Sequence, residues 1–76
     1  MNSTRLKKLE DLRRGLEILN AELDALICEE QDYFKNLPLN LQTKSRREIV
    51  ENTVSFLEEA YDDLNCAIDC IDSAIE

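Results

Sequence analysis

Leucines recur through the first half of the chain at alternating intervals of three and four: Leu9, Leu12, Leu16, Leu19, Leu23 and Leu26. That spacing is an a/d heptad seam, and Glu30 and Tyr33 continue it. It predicts a long helix that packs through this leucine row. Gly15 interrupts at a flanking position and costs about 1 kcal/mol relative to Ala. A neighbouring backbone packed closely there would offset the cost.

The second half carries a wider stripe. Val50, Leu57, Leu64 and Ile71 form one row; Thr53, Ala60, Ala67 and Ala74 form the next; Val54, Tyr61, Ile68 and Ile75 form a third. Ile49, Phe56 and Cys70 widen it again. A two-helix seam needs less apolar width than this. The small middle row would let another helix approach closely, and one partner helix cannot cover the whole stripe.

The segment between the two patterns holds the boundary signals. Pro38 pushes Leu37 out of helical conformation, so the first helix ends before it. Ser45 followed by Glu48 fits a capping box at the start of the second helix. The reading is a first helix over about 4–36, a turn over about 37–44 and a second helix over about 45–75, in one domain spanning residues 1–76.

Two long helices joined by a short link should fold back as an antiparallel hairpin, and the charge blocks support that direction. Residues 1–14 carry five bases and two acids, and residues 17–32 carry six acids and no base. Residues 35–47 carry four bases and no acid, and residues 48–76 carry nine acids and no base. An antiparallel fold-back places basic 5–14 beside the acidic end of the second helix, and acidic 29–32 beside basic 44–47. Each surface pairing contributes at most about 1 kcal/mol, but all favour the same alignment.

The expected fold class is all-α: an antiparallel, coiled-coil-like two-helix hairpin. A hairpin has no enclosed core, and a chain of 76 residues is marginal as a lone monomer. The wide stripe therefore predicts a four-helix bundle or larger homo-oligomer. The expected interface comprises Val54, Leu57, Ala60, Tyr61, Leu64, Ala67, Ile68 and Ile71.

Composition narrows the function classes. The net charge of −8 argues against general nucleic-acid binding, which needs a basic footprint. No apolar run approaches a membrane span, and the first residues lack the apolar core of a signal peptide. The expectation is a soluble, cytoplasmic protein without membrane contact. The chain has no His, which removes the commonest general base and zinc ligand. Cys28, Cys66 and Cys70 lack CxxC spacing, so reduced thiols are expected. Folding back separates Cys28 from the other two, and Cys66 and Cys70 read as small core residues. No cofactor or metal is expected.

The acidic positions of the second helix, including Glu58, Glu59 and Asp62, read chiefly as a solvated outer face. Mimicry of nucleic acid and an Mg²⁺-dependent nucleotide hydrolase are the sharper alternatives. The hydrolase needs carboxylates facing one another across helices, and "EEAYDD" lies on one helix only.

The turn carries more chemistry than a reversal needs. Tyr33 and Phe34 offer faces for stacking on a base. Asn36, Asn40 and Gln42 donate and accept hydrogen bonds. Lys44, Ser45, Arg46 and Arg47 gather at a helix N-terminus, where free N–H groups and the helix dipole favour an anion. Against that ligand-site reading, the leucines Leu37, Leu39 and Leu41 could plug a bundle end while the amides cap helix ends.

The stretch "EEQDYFKNLPLNLQTKSRR" followed by "ENTVSFLEEAYDDLNCAIDCIDSAI" resembles small acidic helical-hairpin proteins of phages and prophages, largely of Gram-positive bacteria. The shared pattern is an acidic pair, an aromatic, Asn-Leu-Pro, then Leu-Gln and Ser, ahead of a helix of "LEEAID"-like units. It covers about residues 29–76, and Leu39 stands where that pattern has an acid. The resemblance implies a non-enzymatic accessory protein, in the host cytoplasm, that blocks a host process such as antiviral defence. It would do so by sequestering a nucleotide-type signal at the turn or by binding a host protein directly. A structural coiled-coil adaptor is the remaining alternative.

Overall fold

A computed structural model describes residues 2–76. Two long helices, α1 (Ser3–Lys35) and α2 (Lys44–Ile75), run antiparallel and pack along their length. Among the described residues the only other element is a 3-10 turn at Leu39–Leu41, and there is no strand. The chain forms a rod of 60 × 15 × 11 Å with a radius of gyration of 17.5 Å. A compact domain of this length would have a radius near 11 Å, so the hairpin encloses no core. Its buried side chains are Asn20, Ile27, Val54 and Ile68.

Both helix starts are fixed by side-chain caps. Asn2 caps α1, its Oδ1 accepting the Arg5 N–H at 2.9 Å. Thr43 caps α2, its Oγ1 accepting the Arg46 N–H at 3.2 Å. The capping box expected from Ser45 and Glu48 is therefore displaced. Thr43 adopts the extended backbone a cap needs, while Ser45 already lies inside the first turn. α1 ends at Lys35 as the proline requires, with Asn36 as its C-cap.

The leucine seam is also displaced. Apart from Gly15, the shielded residues of α1 are Leu6, Leu9, Arg13, Leu16, Asn20, Leu23, Ile27, Glu30 and Phe34. They keep the alternating three-and-four spacing, but only Leu9, Leu16 and Leu23 come from the expected leucine row. Leu12, Leu19 and Leu26 remain 60%, 54% and 52% exposed, and Tyr33 lies outside the seam with them. The physical reason lies in α2. Arg13 donates to Asp72, with Nη2 to Oδ2 at 3.1 Å, and Asn20 Nδ2 donates to Asn65 Oδ1 at 2.8 Å. A polar row on α1 thus meets matching polar residues on α2, and the hairpin closes through them.

Of the expected charge alignments, the distal one forms through Arg13 and Asp72. The one at the turn does not: among the described residues no ion pair joins 29–32 to 44–47. Instead the Arg47 guanidinium lies 5.7 Å from the Phe34 ring centroid, a cation–π placement.

Candidate functional site

The turn closes by hydrogen bonds that use much of its polar chemistry. The Asn36 and Leu37 N–H groups donate to Asp32 O at 2.9 Å and Phe34 O at 3.2 Å. Gln42 Nε2 donates to Leu37 O at 2.8 Å and Lys35 O at 3.3 Å, and so satisfies carbonyls at the end of α1 that have no helical partner. Arg46 Nη1 reaches Leu41 O at 3.4 Å. Leu37 and Leu41 are partly shielded, whereas Leu39 is 86% exposed and plugs nothing within the hairpin.

The nine candidate ligand residues are therefore divided in their use. Gln42, Asn36, Phe34, Arg46 and Arg47 take part in building or bracing the turn. Tyr33, Asn40, Lys44 and Ser45 point no side-chain hydrogen bond at it and are exposed. The depression beside the turn, lined by Gln31, Phe34, Lys35, Arg47, Val50 and Glu51, takes in only Phe34 and Arg47 of the nine and has a volume of about 170 Å³. Small-molecule sites ordinarily occupy about 300 Å³ or more.

The carboxylates of α2 do not converge. Among the described residues no group of three or more Cys, Asp or Glu is placed to hold a metal ion. Cys28, Cys66 and Cys70 are free thiols, and all three are exposed. Neither Cys66 nor Cys70 enters the seam between α1 and α2, so the expected core role is not filled within one chain. Among the described residues no helix is long and apolar enough to cross a membrane.

The residues expected at an oligomer interface are mostly used by the hairpin itself. Val54 and Ile68 are buried against α1, and Leu57, Tyr61, Leu64 and Ile71 flank them on the same seam. Ala60 and Ala67 lie at the edge of that seam.

The larger uncovered feature is a face that the sequence pattern did not single out. Arg13–Asp72 and Asn20–Asn65 fix one edge of the hairpin as polar. Helical geometry then places the Leu12–Leu19–Leu26 row of α1 on the opposite edge, together with Ala60, Ala67 and the Ile49–Phe56 row of α2. Ile49 and Phe56 are 64% and 72% exposed. A groove of about 620 Å³ lies at the end of this face away from the turn, lined by Lys8, Asp11, Leu12, Gly15, Leu16, Leu19 and Ile71. A Cβ added at Gly15 would meet nothing within 4 Å, so no backbone of this chain packs against it.

One signal could have revealed this arrangement. Arg13 and Asn20 are seven residues apart on α1, and Asp72 and Asn65 are seven apart on α2 in the reverse direction. An antiparallel pair brings such positions together. Searches of family models, curated proteins and solved structures return no match for this chain.

Proposed function

We propose that this chain is a non-enzymatic helical binding module whose apolar face is a protein-contact surface. The observation that carries the reading is the choice of seam. α1 buries a row containing Arg13 and Asn20 and leaves Leu12, Leu19 and Leu26 more than half exposed. Full burial of a leucine is worth about 2 kcal/mol, so three half-exposed ones forgo roughly 3 kcal/mol in the isolated hairpin. A partner covering that face restores the term. In the phage setting implied by the turn motif, such a module inhibits a host process by occupying a host protein. In any other setting the same surface makes it a coiled-coil adaptor.

Sequestration of a nucleotide-type ligand at the turn is the second reading. It is supported by Lys44, Arg46 and Arg47 at the start of α2 beside the Phe34 ring. It is weakened by the small volume there and by the hydrogen bonds Gln42 already makes.

Capture and melting experiments separate the two. Immobilised wild-type chain, Leu26→Asp, and Arg46→Ala with Arg47→Ala are compared for the proteins they retain, including a tagged copy of the chain itself. Contact through the apolar face predicts loss with Leu26→Asp and retention with the double arginine variant. A thermal shift with cyclic or linear nucleotides that disappears in the arginine variant would replace this reading with the nucleotide one.

A further inference from the structure

We propose that the occupant of the apolar face is a second copy of this chain, docked with its α1 antiparallel to the first α1 about a two-fold axis at Leu19. The inference rests on the reading of that face as a protein-contact surface and names its partner. Three observations carry it.

The first is charge. Residues 1–14 hold five bases and two acids, while residues 17–32 hold six acids and no base. One helix thus carries a positive half and a negative half. Against a copy of itself it is complementary only when antiparallel, and a parallel copy would set like halves together. An isologous contact uses this complementarity twice.

The second is the symmetry of the row. Leu12 and Leu26 each lie seven residues from Leu19, on the same exposed face. Antiparallel docking about Leu19 sets Leu12 against the partner's Leu26, Leu19 against the partner's Leu19, and Leu26 against the partner's Leu12. The rim follows the same rule. Lys8, eleven residues before Leu19, and Glu29, ten after it, both exposed, come opposite each other twice to within one residue. α1 spans Ser3–Lys35, so an axis at Leu19 also overlaps the two helices over their whole length. Gly15 lies one turn from that axis with open space above its backbone, and there it lets the second helix approach.

The third is length. α1 has 33 residues, about 50 Å of helix, so antiparallel docking about Leu19 makes a continuous strip of contact rather than a local patch.

The test is a cysteine-pairing experiment in a chain carrying Cys28→Ser, Cys66→Ser and Cys70→Ser, whose thiols are exposed. Only a residue on a two-fold axis meets its own copy within disulfide reach. Leu19→Cys is expected to form a disulfide-linked dimer on mild oxidation. Leu12→Cys and Leu26→Cys are each expected to stay unlinked alone and to link when mixed. Light scattering of the unmodified chain at about 100 μM should give twice the 8.8 kDa chain mass. A charge-reversal series checks the rim without touching the leucines. Lys8→Glu and Glu29→Lys should each weaken the dimer about tenfold, and an equimolar mixture should recover it. Self-linking of Leu12→Cys as readily as Leu19→Cys would show a parallel dimer and overturn the proposal. A dimeric mass without Leu19→Cys linkage would place the contact elsewhere and also overturn it. A monomeric mass, with Leu26→Asp still abolishing capture of another protein, removes the second copy but leaves the contact surface standing. No effect of Leu26→Asp on any association removes both.

Discussion

The two edges of the hairpin are built from the same helices and differ in what closes them. On one edge Arg13 meets Asp72 and Glu17, and Asn20 meets Asn65. The hydrogen bond to Asp72 is the main reason the Arg13 guanidinium holds its proton more firmly than an isolated arginine; Glu17 adds to this and partial desolvation opposes it. On the other edge Leu12, Leu19, Leu26, Ile49 and Phe56 all remain more than half exposed. The polar edge is therefore closed by hydrogen bonds within one chain, all but Asn20 Oδ1 finding a partner, and the apolar edge is not closed. Specific hydrogen bonds choose which helix faces meet, even where a purely apolar choice was on offer.

Neighbouring residues give the largest expected contrast. Ile27→Ala removes a side chain that is 7% exposed and should destabilise the hairpin by about 2–4 kcal/mol in thermal unfolding followed by circular dichroism. Leu26→Ala, one residue away, should cost less than about 1 kcal/mol in dilute protein, with a penalty that grows as concentration rises. Equal, concentration-independent penalties would erase the distinction between the edges.

Asn65→Leu should come next, at about 1–3 kcal/mol, because it strands the buried Asn20 amide. Asn20 is 5% exposed, and its Oδ1 already lacks a partner. Replacing both asparagines with leucine should recover most of that loss while loosening the register that buried asparagines fix in coiled coils. A double-mutant cycle measures the coupling.

Caps give a smaller effect. Thr43→Ala should cost about 1 kcal/mol and Ser45→Ala almost nothing, a pair that checks which residue starts α2. Gly15→Ala should have the least effect and the opposite sign. In dilute single hairpins it should stabilise by up to about 1 kcal/mol, since the added Cβ meets nothing. At high concentration it should weaken self-association, because the methyl group occupies the approach path of a second helix.

Much of the fold was legible in the residues. The alternating leucines and the three-row stripe specified two long helices, Pro38 set the end of the first, and the short link between them set their antiparallel direction. These are local signals, or sums over long segments, and they survive whatever the partner face turns out to be. The candidate site was less legible. The turn residues looked available as a list, yet Gln42 is committed to backbone carbonyls and Phe34 to Arg47. Such commitments depend on where carbonyls and rings come to rest after the chain reverses.

What the sequence determined by itself is periodicity, length, direction and the stopping points, because each follows from local backbone preference or from the shortness of the link. Only the tertiary structure decided the rotation of α1 about its own axis. Two rows flank Leu9, Leu16 and Leu23, one of leucines and one holding Arg13 and Asn20, and both fit the same heptad spacing. Periodicity cannot tell them apart. The choice fell to hydrogen-bond partners on the other helix, Asp72 and Asn65, and it left the leucines facing outward.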